Sequence, residues 1–448
     1  MGENDQNRDE FSRRAALRRL LAPLAGAAVA LGDVPFALGD DESTSSDLNA
    51  ERKPLAPEDD AFLEELEKAN FQFFWEQGDP ETGLVKDRFN VRGTDHTTVS
   101  NIAATGFGLT AICIGQKRGY VPLKDARERV LAALRFLARK MVHHRGFFYH
   151  WVDVKTGQRT WDSELSSIDT AMLLCGVLTC REHFRYGEIT RLSNQIFNRV
   201  EWTWLSEDTV LLPHGWSPDV GFLPYRWDLY SELMMMYLLG LGSSTHPLPA
   251  ESWTAWKRLT FEYDGLRYIG SYAPLFVHQY SQAWFDFRGQ RDKYADYFRN
   301  SMIATEAHRR FCLELSKEFS DYSDDLWGIT ASDSQHGYVV WGGPPEMGPI
   351  DGTVVPSATG GSLAFLPGPT LRVLKNIKNR YGERTWSRYG FVNAFNPLTN
   401  WFDTDVVGID TGITMLMAEN LRTGFVWNTF MKNREAQTAL QKAGFASY

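Results

Sequence analysis

The stretch SSIDTAMLLCGVLTCREHF (residues 166–184), followed by EITRLSNQIFNRVEW (188–202), decides the fold. The first segment is apolar on every helical face and predicts a fully buried helix, whereas the second has one apolar and one polar face. The same order, a dry helix and then an amphipathic one, recurs along the chain. It is found at SNIAATGFGLTAICIGQKRG (100–119) with KDARERVLAALRFLARKM (124–141), at 227–241 with 251–263, less clearly through 275–315, and at 409–432.

Alternating dry and half-wet helices predict two concentric layers, because a helix that is apolar all round must be covered on every side. A closed ring of helical hairpins satisfies this demand, so we predict an all-α fold, an (α/α)6 toroid. A small β-hairpin is expected at FFYHWVDVKTGQRTW (147–161), and two long loops, 202–227 and 328–369, are expected over one rim. A right-handed solenoid or a large irregular bundle is the alternative; dissimilar repeats weigh against the solenoid.

The N-terminal region has the pattern of an export signal. In SRRAALRRLLAPLAGAAVALG (12–32), paired arginines precede an apolar run that is too short to span a membrane. We therefore predict a twin-arginine signal at 1–38, a polar linker at 39–57 and one catalytic domain at 58–448. A periplasmic or secreted protein without a membrane span after signal removal is expected; the alternative for the N-terminus is an amphipathic basic helix.

Composition narrows the class of ligand. The net charge is −9 and no basic stripe is present, so binding to nucleic acid is not expected. Aromatic residues make up 13% of the chain and include 15 tryptophans, which suits stacking on the flat faces of a neutral sugar polymer. The four cysteines show no CxxC spacing, so we expect no metal and no cofactor, and we expect a monomer.

Three dry helices carry a carboxylate at the start: Asp169, Glu232 and Asp410. In a ring of hairpins the inner helices all run the same way, so their first turns crowd one rim and these acids should converge there. Each has a structural alternative. Asp169 lies three residues after Ser166 at capping-box spacing, Asp410 suits an N-cap, and Glu232 suits the helix dipole.

Convergent carboxylates among aromatic residues predict glycoside hydrolysis, in which one acid protonates the leaving oxygen and another group activates water. Burial against an apolar helix, with Asp228 nearby, would keep Glu232 protonated. Further residues are expected to bind substrate, with core packing or turn formation as the alternative for several of them. They are Asp228, Tyr230, Trp216, His278, Gln279, Trp284 and Asp333.

Eight motifs in order, over residues 58–433, resemble the bacterial glucoamylase-like domain, glycoside hydrolase family 144, the endo-β-1,2-glucanases. They include SNIAATGFGLTAICIG (100–115), YSELMMMYLLGLGSSTHP (230–247), HQYSQAWFDFRG (278–289) and GIDTGITMLMAENLRTGFVW (408–427). The resemblance implies an (α/α)6 toroid and an exported enzyme. It also implies metal-free, endo-acting, inverting cleavage of β-1,2-glucan to sophoro-oligosaccharides.

The same resemblance implies roles for the three acids. Glu232 matches the general acid of the YSE motif, Asp410 matches the acid of the IDxG motif and is a candidate base, and Asp169 matches a cleft acid. The family's IDQGP reads IDTGI here, which alters a subsite, and the water can be activated through a substrate hydroxyl. The alternatives are a periplasmic glycan-binding protein with the same toroid, or a related glycosidase or transglycosylase acting on another β-glucan. A lyase acting on an acidic sugar polymer is disfavoured by the negative net charge.

Overall fold

A computed structural model describes residues 55–272, 274–345 and 347–448. The predicted export signal and all but the last three residues of the predicted linker lie outside the described residues. The first described helix begins at Pro57, where proline suits the first helical turn because that turn needs no backbone N–H donor. In the part of the chain described, no helix is both long and apolar enough to cross a membrane.

The architecture is built mainly from α-helices. In chain order they are α1 (Pro57–Gln77), α2 (Ile102–Arg118), α3 (Leu123–Arg139), α4 (Ser167–Phe184), α5 (Gly187–Asn198), α6 (Trp202–Ser206), α7 (Met234–Gly242), α8 (Glu251–Thr254), α9 (Tyr280–Trp284), α10 (Tyr297–Glu314), α11 (Pro356–Gly360), α12 (Pro367–Tyr381), α13 (Gly408–Arg422), α14 (Phe425–Phe430) and α15 (Arg434–Lys442).

Two layers of helices are present, as the alternation predicts. The inner helices are α2, α4, α7, α9, α11 and α13, and α7 is buried along its whole length. The outer helices α1, α3, α5, α10 and α12 carry one buried and one wet face, and α15 packs behind α7. This arrangement confirms the (α/α)6 toroid.

Short antiparallel strands pack beside the helices. One pair, His143–His144 with Phe147–Phe148, begins just before the predicted hairpin at 147–161. The strands are β1 (Arg88–Asn90), β2 (Val99–Asn101), β3 (His143–His144), β4 (Phe147–Phe148), β5 (Trp151–Asp153), β6 (Leu165–Ser166), β7 (Gly215–Ser217), β8 (Gly221–Phe222), β9 (Leu259–Tyr263), β10 (Leu266–Gly270), β11 (Gln290–Arg291), β12 (Ser332–Ser334), β13 (Gly337–Val339), β14 (Trp386–Ser387), β15 (Gly390–Phe391), β16 (Phe395–Asn396), β17 (Trp401–Phe402), β18 (Asp405–Val407) and β19 (Ala446–Ser447). Partners distant in sequence, β1 with β18 and β2 with β5, join loops at the start of inner helices.

Three predicted elements differ from the structure, and the first is the loop predicted at 202–227, which contains α6 and the β7–β8 hairpin. The amphipathic helix expected at 251–263 is only α8, and Leu259–Tyr263 is a strand, because its β-branched and aromatic residues pair with β10. The predicted loop 328–369 contains the inner helix α11. Its composition is rich in glycine and serine, which hides a helix that tertiary packing stabilises.

Helices α2 and α4 approach so closely that their glycines have backbone as neighbours. A Cβ at Gly176 would lie 2.2 Å from the carbonyl oxygen of Gly106, and a Cβ at Gly106 would lie 2.3 Å from the carbonyl oxygen of Met172. No side-chain motion can relieve a clash with backbone. The contact therefore requires residues without a Cβ at both positions.

We expect Gly176→Ala to lower the free energy of unfolding by about 1–3 kcal/mol, because the overpacking cost exceeds the gain in helix propensity. Chemical denaturation measures this change. Gly187→Ala is the matched control, since a Cβ there meets no atom within 4 Å, and it should leave stability unchanged or slightly raised. Equal stability of both variants would contradict the close packing of α2 on α4.

Candidate active site

The starts of the inner helices are joined by hydrogen bonds around one rim, which we call the head rim. The links join residues in consecutive inner helices, or in the loops that precede them, from α13 through α2, α4, α7 and α9 to α11, at donor–acceptor distances of 2.7–3.3 Å. The links are Gly408 N–H to Asp87 O, Asp87 N–H to Val99 O, Ile102 N–H to His150 O, Trp227 Nε1–H to Ser167 Oγ, Met235 N–H to Ser281 Oγ, and Gln279 Nε2–H to Ala358 O. The segments that carry Asp169, Glu232 and Asp410 therefore lie along one rim, and the convergence of the three carboxylates in one cleft stays a prediction.

Glu232 lies two residues before α7, rather than in its first turn. The chain before it is extended, because Asp228 O accepts the Lys257 N–H and Tyr230 N–H donates to Lys257 O, at 2.7 and 2.9 Å. Leu233 occupies the N-cap position and makes no side-chain capping bond. Glu232 is 6% exposed, and Ser281 Oγ donates a hydrogen bond to its backbone carbonyl oxygen. Such burial favours the protonated form of a carboxyl group, which a general acid requires.

Asp169 is held at the start of α4 by the residue that caps the helix. Ser166 Oγ accepts the Asp169 N–H at 3.0 Å and donates its own proton to the Asp169 carboxylate. The imidazole of His150 lies between two carboxylates, with Nε2 3.7 Å from Asp169 Oδ2 and Nδ1 3.4 Å from Glu164 Oε1. The cap is thus present, and it orients an acid that also faces a histidine.

Asp410 is not an N-cap, because Val407 occupies that position and Asp410 is the third residue of α13. Its Oδ2 accepts a hydrogen bond from Asn393 Nδ2 at 2.6 Å. It is half-buried and lines a small surface cleft together with Asn393, Ser357 and Thr411. A carboxylate oriented by an amide at the edge of a cavity suits a group that positions or activates water.

An arginine that the sequence reasoning missed organises the acids beside Asp410. Arg88 Nη1 lies 2.5 Å from Asp333 Oδ2 and 3.5 Å from Asp405 Oδ2. Burial, reinforced by Asp333 and Asp405, raises the pKa of Asp403 to about 7. The carboxylate oxygens of the three aspartates lie within 4.8 Å of one another, a spacing that could hold a cation, but the guanidinium of Arg88 already neutralises part of their charge. Asp333 is therefore an ion-paired residue at the head rim.

Asn393 connects this group to Asp410. Its Oδ1 accepts the Asp333 N–H at 2.8 Å, while its Nδ2 donates to Asp410. Asn393 could have been identified from the sequence as a site residue only because it is a polar residue in the loop before an inner helix. His150 and Glu164 give the same signal, since they precede α4 in a segment that otherwise alternates.

Three predicted substrate-binding residues lie in the core, and the structure corrects their assignment. Trp284 is fully buried and donates from Nε1 to Thr110 Oγ1 at 3.0 Å. Gln279 donates to Ser362 Oγ at 2.8 Å, in addition to its bond to α11. The Tyr230 hydroxyl contacts His278 Nδ1 at 3.1 Å, with no part of the ring exposed. These side chains have no surface to offer a sugar, because packing and internal hydrogen bonds already satisfy them.

The remaining predicted binding residues are His278, which is buried beside a cleft, and the half-buried Trp216 and Asp228. His278 lines a second small cleft with His308 and Trp341, and burial, followed by the charge of His308, lowers the pKa of His278 to about 3. Trp216 is half-buried on β7 and stacks on His144 at 4.8 Å between ring centroids. Asp228 is also half-buried. Their roles stay predictions.

A toroid of helical hairpins with carboxylates around one rim defines the class of (α/α)6 carbohydrate-active enzymes. A family model described as "Putative glucoamylase" matches residues 224–434. A solved structure from Bacteroides uniformis with the same description is 30% identical, with a TM-score of 0.82 over 88% of this chain and 99% of that one. The chain belongs to this glucoamylase-like family of glycoside hydrolases, and the resemblance to family 144 is confirmed.

Two further relatives carry more specific names. An endo-β-1,2-glucanase from Chitinophaga pinensis, solved with sophorotriose and glucose, is 28% identical with a TM-score of 0.80, over 88% of this chain and 99% of that one. An exo β-1,2-glucooligosaccharide sophorohydrolase (non-reducing end) from Parabacteroides distasonis is 27% identical over 91% of this chain. The chain spans 61% of the length of the latter protein.

Proposed function

We propose that this protein hydrolyses β-1,2-glucan with inversion of anomeric configuration and acts within the polymer. The observation that carries the proposal is the joining of three acid-bearing helix starts at one head rim, in a chain whose relatives are named for β-1,2-glucan hydrolysis. Glu232 protonates the glycosidic oxygen. Asp410, oriented by Asn393, activates water directly or through a substrate hydroxyl, and Asp169 binds the sugar in the cleft with His150 beside it.

Inversion needs room for a water molecule between the reacting sugar and the base. Inverting glycosidases place their two carboxyl groups about 6.5–9.5 Å apart, whereas retaining enzymes need only about 5–5.5 Å. Glu232 lies just before the inner helix α7 and Asp410 lies in α13, and α9 and α11 separate these two helices on one side of the ring. Carboxyl groups on non-adjacent helices suit the wider spacing.

Product analysis on a panel of linear glucans with different linkages tests this proposal. We expect cleavage of β-1,2-glucan, an early mixture of sophoro-oligosaccharide lengths, and an initial α-anomer at the new reducing end by NMR. Release of sophorose alone from the first time point would replace endo action by exo action. Binding of β-1,2-glucan without any product would instead favour a glycan-binding protein.

We also propose that the protein is exported through the twin-arginine route and acts in the periplasm or outside the cell. Ser12, Arg13 and Arg14 followed by the apolar run from Leu20 to Leu31 support this proposal. All four cysteines are buried free thiols, so folding before export needs no disulfide. Replacing both arginines by lysine and following the protein in cell fractions tests it, and unchanged export would contradict the route.

A further inference from the structure

Trp161 is a large aromatic residue in an exposed and unfavourable backbone conformation. It is 49% exposed, and its φ of +54° is followed by a φ of +47° at Asp162. The left-handed region disfavours a bulky side chain, and a residue held there without a packing reason is a functional candidate. Glycine or asparagine would form the same turn without the strain.

The turn that carries Trp161 is fixed by one arginine. Arg159 donates from Nε to the carbonyl oxygen of Ser163 at 2.7 Å and from Nη2 to that of Asp162 at 2.5 Å. Its Nη2 also bonds Asp219 Oδ2 at 2.7 Å, which ties the turn to the β7–β8 hairpin. The indole is therefore presented on a rigid support instead of a loose loop.

A chain of ring contacts connects Trp161 to His150 and so to Asp169 at the head rim. Its ring centroid lies 5.5 Å from that of Trp151, and Trp151 stacks on His150 at 4.2 Å with an interplanar angle of 18°. The Nε2 atom of His150 lies 3.7 Å from Asp169 Oδ2. Trp161 is thus the outermost member of a row that begins at a predicted cleft acid and ends in solvent.

We propose that the exposed face of Trp161 binds a glucose ring of the glucan chain, at a distance from the bond that is cleaved. The axial C–H groups of a pyranose form an apolar face that matches an indole, whereas its equatorial hydroxyls remain in water. Val220, at the tip of the tethered β7–β8 turn, is also exposed, at 72%. This inference rests on the proposed function, and it assigns Trp161 to selection for longer chains.

Kinetics on a ladder of β-1,2-gluco-oligosaccharides of increasing length test the assignment. Trp161→Asn removes the ring but suits the left-handed backbone, so its melting temperature should equal or exceed that of the wild type. We expect the KM of this variant to rise about tenfold for long chains, with a smaller rise as the chain shortens, while kcat changes little. Trp161→Phe keeps an aromatic face and should retain most of the affinity for long chains.

Tyr186→Ala is the matched control, because Tyr186 is also an exposed aromatic residue but lies at the far end of α4. It should behave as the wild type on every chain length. If the wild type cleaves the ladder and Trp161→Asn shows the same KM values at all lengths, the Trp161 inference is overturned and the proposed function stands. A wild type that cleaves none of the ladder overturns the proposed function itself.

Discussion

Replacing Glu232 by glutamine is expected to lower kcat on β-1,2-glucan by about 10²–10⁴-fold while the fold stays intact. Glutamine has nearly the same shape but no acidic proton, so the leaving oxygen would depart as an alkoxide. The side chain is almost wholly buried, and the backbone bond from Ser281 is unaffected by the substitution. Initial rates together with thermal denaturation measure both parts of this expectation.

The leaving group offers a sharper test of the same role. A sophorosyl fluoride needs little protonation on departure, so the Glu232→Gln variant should lose far less activity on it than on glucan. Glu251→Gln is the control, because Glu251 is exposed in the next helix, α8. The Glu251→Gln variant should cleave both substrates at the wild-type rate. Equal losses on glucan and fluoride would contradict a role for Glu232 in protonation.

The layered fold was predictable because the burial of a helix determines the spacing of apolar residues in its sequence. Helix α4 is apolar on all faces and α5 on only one, and the structure places them in the inner and outer layers. This spacing does not predict the structure where tertiary contacts override the local preference for helix or loop. Helix α11 has the sequence PSATG, which is short and contains residues of low helix propensity. It forms because the surrounding inner helices bury it, so its own sequence does not predict it.

The candidate site was predictable where it follows from topology alone. Parallel inner helices predict that Asp169, Glu232 and Asp410 lie at one rim, and this prediction needs only their positions at or just before the starts of dry helices. Arg88 and Asn393 were not predictable in the same way. They reach the site through contacts between residues far apart in sequence, such as the pairing of β1 with β18, which no periodicity shows.

Aromatic residues were the least reliable guide to the site. Trp284 lies in α9 and Tyr230 in the extended segment before α7, and both belong to the core, whereas Trp161 lies in a turn and is exposed. The spacing of residues in the sequence identifies the face of a helix, but it does not show which of these faces are buried in the toroid. A tryptophan in a turn held by an arginine is distinguished only by its backbone conformation, which the structure supplies.

Replacing Asp410 by asparagine is expected to lower kcat by about 10²–10⁴-fold with little change in KM, because the variant lacks the base that accepts a proton from water. The consequence holds whether the proton passes directly or through a substrate hydroxyl. Asn393→Ala should cost less, since it removes the hydrogen bond that orients Asp410 but leaves the carboxylate in place. Steady-state kinetics on β-1,2-glucan separate the two variants.

Azide distinguishes a missing base from a damaged site. As an anion that needs no deprotonation, it can attack the anomeric carbon in Asp410→Asn and form an α-glycosyl azide, so added azide should restore turnover with inverted configuration. Asp125→Asn is the matched control, because Asp125 is an exposed acid in the first turn of the outer helix α3 and should have no effect on kcat. A β-glycosyl azide would require attack from the other face and would contradict inversion, and wild-type turnover of Asp410→Asn would remove Asp410 from the reaction.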